Sequence, residues 1–238
     1  WVAGKQVTET NQNDVLGDGT VSYDPDTHTL TLKDANLTLS GDTEEGIYCW
    51  IESQLAEDLT ITGTATLSNA DGIHTDGPLT LKDADLTFTG DIDDDVGDDA
   101  IRAGRSDEDI TIQNSKVTIA GTNSEGNFFQ YGIRCGKLTV ANSTLDVKTY
   151  GSAIAADTME VSGADTIVLA ESDSTDEEEY YALALDNETS LTLNDGLALV
   201  EGKVNESKTA KIALPEQNPD PNPNPDPNPN PTDYLAYW

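Results

Sequence analysis

The sequence predicts an all-β chain, a right-handed three-sided parallel β-helix of about seven coils with an N-terminal cap and a Pro-rich C-terminal tail. Three observations predict it. Short apolar–polar–apolar triplets recur along most of the chain, and the stretch 98–121 shows three of them: Ile101-Arg102-Ala103, Ile110-Thr111-Ile112 and Val117-Thr118-Ile119. Each is a strand-length alternation that cannot bury its apolar face alone. The leading isoleucines recur at Ile47, Ile73, Ile101, Ile133 and Ile154, at separations of 26, 28, 32 and 21 residues. A minimum near 21 residues with no helical period fits a three-strand coil, whereas a propeller blade needs about 40 residues. Third, the corner between the second and third strands keeps one composition, with Asp34, Asp83, Asn114, Asn142 or Gly163 at its second position. These residues tolerate the left-handed region and close local hydrogen bonds.

Residues 1–28 read as the cap. They lack the repeat, and Asp24-Pro25-Asp26-Thr27 is a turn sequence before the first coil. A solenoid needs its first edge covered. Residues 29–214 read as the β-helix. Coil one holds Leu30–Leu32 and Leu37–Leu39; coil two holds Ile47-Tyr48-Cys49, Leu59–Ile61 and Ala65–Leu67; coil three holds Ile73-His74-Thr75, Leu79–Leu81 and Leu86–Phe88. Coil four is the stretch above. Coil five holds Ile133-Arg134-Cys135, Leu138–Val140 and Leu145–Val147; coil six Ile154–Ala156, Met159–Val161 and Ile167–Leu169; coil seven Leu183–Leu185, Leu191–Leu193 and Leu197–Leu199. Strand–crossover–strand connections favour the right hand. Residues 215–231 alternate Pro with Asn and Asp, which excludes helix and sheet and gives an extended spacer to other domains of the same polypeptide. Residues 232–238 are an aromatic tail or the start of a next domain.

Composition narrows the function classes. The formal net charge is −33, from 45 acidic and 12 basic residues, and only Arg102, Arg105 and Arg134 are arginines. That charge argues against nucleic acid and against anionic membrane surfaces. No apolar run reaches the roughly 18 residues of a membrane span, so no membrane insertion is expected. With neither an initiator Met nor a leader sequence, the chain reads as a mature fragment. An extracellular place, on a cell surface or secreted, is expected.

Length variation concentrates between the third strand and the next leading Ile, which marks that edge for binding. There Asp91, Asp93, Asp95, Asp98 and Asp99 offer closely spaced hard oxygens with an intervening Gly97, the pattern calcium prefers. The competing reading is a solvated loop. The residue after each leading Ile points outward, since strand side chains alternate. That position carries Tyr48, His74, Arg102 and Arg134 on four successive coils, an aromatic and cationic column fit for a glycan or host ligand. The competing reading has both arginines neutralising nearby Asp. No Ser or Cys is placed beside His74 for a triad, so it reads as a surface polar residue. Threonines line the outward face of the second and third strands, where Glu160 and Asp146 interrupt them and argue against ice binding. Cys49 and Cys135 fall at one inward position of coils two and five, about 14 Å apart at about 4.8 Å per coil, too far for a disulfide. Both are expected reduced and unreactive until unfolding.

The opening WVAGKQVT, the segment Asp14–Leu32 and the repeated coil resemble β-helix domains of large extracellular proteins from Gram-positive gut bacteria. Those domains are commonly labelled carbohydrate-binding or of unknown function, and have a pectate-lyase-like fold with no evident active site. The resemblance covers residues 1 to about 214 and carries no functional residue across. It implies a non-catalytic glycan-binding or adhesin-stalk module. Two alternatives stand beside it: a calcium-dependent polysaccharide lyase or hydrolase, with Arg102 or Arg134 near Asp98 and Asp99, and a structural spacer.

Overall fold

A computed structural model describes residues 1–38, 49–68, 71–89, 99–105, 107–120, 129–175 and 180–216. The Pro-rich segment and aromatic tail from residue 217 on, Tyr48, and the acidic run 91–98 lie outside the described residues. Among the described residues the chain is all-β, with one short 3-10 turn and no α-helix. Among the described residues no helix is long and apolar enough to cross a membrane.

The strands are β1 (Val21–Asp24), β2 (Thr29–Thr38), β3 (Cys49–Ser53), β4 (Leu59–Ser68), β5 (Asp71–Thr75) and β6 (Leu79–Thr89). Then come β7 (Asp99–Ala103), β8 (Ile110–Gln113), β9 (Lys116–Ile119), β10 (Tyr131–Ala141), β11 (Thr144–Thr149) and β12 (Ser152–Ser162). The series ends with β13 (Ile167–Ser172), β14 (Leu183–Leu185), β15 (Leu191–Leu193), β16 (Ala198–Glu201) and β17 (Thr209–Ala213).

Most pairing is parallel and falls into three ladders. The first joins β3, β5, β7, β10, β12 and β14 through Ile51, Ile73, Ile101, Ile133, Ile154 and Leu183. The second aligns Leu59, Leu79, Ile110, Leu138, Met159 and Leu191. The third aligns Leu37, Leu67, Phe88, Ile119, Val147 and Ala170. All but Leu191 are buried and form a continuous core. Each buried aliphatic side chain contributes about 1.5–3 kcal/mol, so the ladders hold together by packing successive rows.

The corners behave as their composition requires. Asp34, Asp83, Asn114 and Asn142 have φ of 49°, 51°, 51° and 48°, and Gly163 has 85°. The corresponding corner within β4 is shorter and turns on Gly63, with φ 95°; a Cβ there would lie 1.8 Å from the Leu32 carbonyl oxygen.

At the start, β1 pairs antiparallel with β2, and Val2 bridges antiparallel to Ile51. At the far end, the expected third strand of coil seven, Leu197–Leu199, does not extend the third ladder. β16 pairs antiparallel with β17, and β17 takes the place beside β13, also antiparallel.

The first strand of coil two differs from expectation. The ladder residue is Ile51, so the triplet is Ile51-Glu52-Ser53 in place of Ile47-Tyr48-Cys49. Both candidates have the same alternation, four residues apart. Burial of Trp50 decides between them: its ring meets Phe88 at 5.6 Å and Phe129 at 6.2 Å, both edge-on, and its Nε1 donates to the Ser68 carbonyl at 2.9 Å. The corrected separation, Ile51 to Ile73, is 22 residues, close to the 21 of the shortest coil.

Candidate functional site

The inward isoleucines of the first ladder fix which residues face out. In register, the outward row reads Glu52, His74, Arg102, Arg134 and Ala155. Glu52 stands where the sequence reading placed Tyr48, because of the four-residue shift in coil two. His74, Arg102 and Arg134 occupy the row as expected. The four polar positions span about 14 Å at about 4.8 Å per strand.

Asp99 organises the row. Its side chain is fully buried, and its Oδ2 and Oδ1 meet Arg102 Nη1 at 3.3 Å and Arg134 Nη1 at 3.4 Å. A buried carboxylate is costly unless ionic partners and hydrogen bonds satisfy it. Both arginine side chains remain 34% exposed, so one carboxylate fixes two guanidinium groups that still face outward. Arg134 also lies over the Tyr131 ring at 4.8 Å, and Tyr131 meets Tyr180 edge-on at 6.1 Å. The neutralising reading of the arginines is therefore correct for Asp99, and it leaves an oriented cationic surface.

His74 has a different role from the one its sequence position implied. Its Nδ1 lies 3.0 Å from Cys49 Sγ, its Nε2 lies 3.2 Å from the Asp99 backbone oxygen, and Arg102 Nη2 lies 3.5 Å from Nδ1. A cysteine does stand beside this histidine. The four-residue shift brings it there: Cys49 pairs in register with Asp71, two residues before the Ile51 row, and so leaves the row of Cys135. No local signal revealed the shift: by strict alternation Trp50, between Cys49 and Ile51, would point outward, yet it is buried.

Neither cysteine is in a disulfide and both are buried, as the sequence reading expected, although the shared inward position is wrong. The row of Cys135 contains Ser53, Thr75, Ala103 and Ala156. Burial, then the nearby charge of Asp109, pushes the Cys135 thiol up to about 12.

Of the acidic calcium candidates, Asp91, Asp93, Asp95 and Asp98 lie outside the described residues, and Asp99 is engaged by the two arginines. Among the described residues no group of three His, Cys, Asp or Glu is placed to hold a metal ion.

Glu52 connects the row to a cleft of about 320 Å³ between the N-terminal segment and β3. Trp1, Tyr23, Gln6 and Gln54 line it with Glu52, combining aromatic surface and amide hydrogen-bonding groups. No family model, curated protein or solved structure matches the chain.

Proposed function

We propose that the chain is a non-catalytic cell-surface or secreted module, folded as a right-handed three-sided parallel β-helix, that binds an acidic glycan along the row Glu52–His74–Arg102–Arg134. The observation that carries this reading is the pair of partly exposed arginine side chains on adjacent strands, held by one buried carboxylate, with Arg134 backed by Tyr131. Each guanidinium is partly exposed and has the planar geometry that matches a ligand carboxylate. Their tether to Asp99 reduces the ordering cost of binding. Tyr131 and the Trp1–Tyr23 cleft provide aromatic faces and amides for the neutral part of a sugar. The β-helix reading is supported by the three parallel ladders and by the left-handed corner residues that separate the second from the third.

Charge narrows the ligand. A net −33 repels a dense polyanion over a Debye length, about 8 Å at physiological salt. The row therefore suits a sugar presenting an isolated or terminal carboxylate, whose contact with the arginines is short-range. Calcium held by Asp91, Asp93, Asp95 and Asp98 would lower the net negative charge and belongs to the same proposal.

The test is a glycan array, read with and without calcium, followed by titration of the best ligand. Binding confined to carboxylated glycans is expected. Arg102→Gln and Arg134→Gln should each weaken it about tenfold or more, the scale of a charge-assisted hydrogen bond. Melting curves should show both variants folded. An array on which only neutral glycans bind, or binding unchanged in both variants, removes the proposal.

A further inference from the structure

Cys49 and Cys135 are chemically unequal. Cys135 is 1% exposed, between Ala103 and Ala156 in its row, and its thiol is pushed up to about 12. Cys49 is 8% exposed and lies on β3, whose ladder partner is β5 on one side while Val2 bridges the strand on the other. Cys49 also has an imidazole in contact, with Sγ 3.0 Å from His74 Nδ1.

The tautomer of that imidazole follows from its partners. Nε2 faces the Asp99 carbonyl oxygen, which can only accept, so Nε2 carries the proton. Nδ1 is left as an acceptor, with Cys49 Sγ at 3.0 Å and Arg102 Nη2, a second and longer donor, at 3.5 Å. The guanidinium charge works against a second proton on the imidazole and in favour of the thiolate form of Cys49. A nucleophile in contact with a base, and a base held by a third group, is the arrangement that activates a thiol. The adjoining pair Arg102 and Arg134 selects a reagent that carries a carboxylate.

We propose that Cys49 is a nucleophilic thiol, with His74 as its base, that forms mixed disulfides with small disulfides bearing a carboxylate. The thiol proton passes to His74 Nδ1. The Cys49 thiolate attacks one sulfur of the reagent, forming a new S–S bond as the reagent's own S–S bond breaks. The departing thiolate takes the proton from Nδ1 and leaves as a thiol. Cys49 is oxidised, the departing sulfur is reduced, and no other reactant is needed. This proposal is independent of glycan binding, because its readout is an adduct mass.

The native chain would be incubated with oxidised glutathione at pH 7, trapped at intervals and mapped by peptide mass spectrometry. One glutathione per chain on Cys49 and none on Cys135 is expected, reversed by dithiothreitol. His74→Gln and His74→Asn, checked by melting curves, should slow the reaction about tenfold, and bis(2-hydroxyethyl) disulfide should react several-fold more slowly than oxidised glutathione. No adduct before unfolding, equal labelling of Cys135, or unchanged rates in both His74 variants would overturn the proposal. A neutral disulfide that reacts equally fast would overturn its carboxylate selectivity. If neither His74 variant folds, the wild-type rate decides: a native Cys49 more than tenfold slower than the same thiol in urea overturns the activation.

Discussion

Asp99 shows how one buried residue can shape a surface. Its carboxylate holds Arg102 and Arg134 and its carbonyl oxygen faces His74, so three of the four polar side chains in the outward row depend on it. The sequence reading assigned Asp99 to a calcium loop because it follows a run of acidic residues, and run composition cannot distinguish the one carboxylate that enters a strand. Cys135 gives a prediction at this scale. Its native thiol keeps its proton up to about 12, while the unfolded thiol releases it near the ordinary thiol value of 9.0. Between those values the native state binds more protons than the unfolded state, so stability falls as pH rises. Below about pH 9 both states are protonated and the contribution is fully present. The loss is at most about 4 kcal/mol across the window, at about 1.36 kcal/mol per pH unit. Urea unfolding at pH 8, 9.5 and 11 should show a smaller loss in Cys135→Ala than in the parent; equal slopes would remove the assignment.

At the scale of the element, the corner between the second and third strands was legible because its requirement is local. A left-handed position favours Asp, Asn or Gly, and the structure has φ near 50° at all four Asp and Asn positions named for it. The residue after the left-handed one was less visible. Ser115 Oγ accepts from the Ala84 backbone N–H at 3.0 Å and donates to the Gln113 carbonyl oxygen at 2.7 Å, and Ser143 Oγ accepts from the Ser115 N–H at 3.0 Å. These buried hydroxyls link one corner to the next, a relation that no single corner displays. Ser115→Ala leaves the Ala84 N–H without its partner and should cost about 1–3 kcal/mol. Chemical denaturation measures it, and a change below about 0.3 kcal/mol would mean the N–H finds another partner. The first strand of coil two was misread because Ile47-x-Cys49 and Ile51-x-Ser53 alternate identically. Only long-range contacts of Trp50 with Phe88 and Phe129 separate them. Consequently, the row's two arginines and His74 were readable from local alternation, but Glu52 and the Cys49–His74 contact were not.

For the whole molecule the controlling quantity is charge. With 45 acidic and 12 basic residues, the native chain confines like charges that the unfolded chain can separate. Salt should therefore stabilise it, through screening of that repulsion. This creates a difficulty for the calcium proposal, because any divalent salt screens as well. The two effects separate at constant ionic strength. Nonspecific screening depends on ionic strength and saturates gradually, whereas a site that binds the native state alone stabilises by mass action with free calcium, about 2.7 kcal/mol at one hundred times its dissociation constant. Melting curves would be recorded in calcium and in magnesium at matched ionic strength, with chelator as reference. Magnesium demands tighter octahedral geometry and holds its waters, so a closely spaced set of carboxylate oxygens should favour calcium. The expected result is a rise in both salts with a further rise in calcium, the extra part absent from the double variant Asp93→Ala, Asp95→Ala. Equal curves in the two salts would assign the whole effect to screening, and the acidic run to solvation alone.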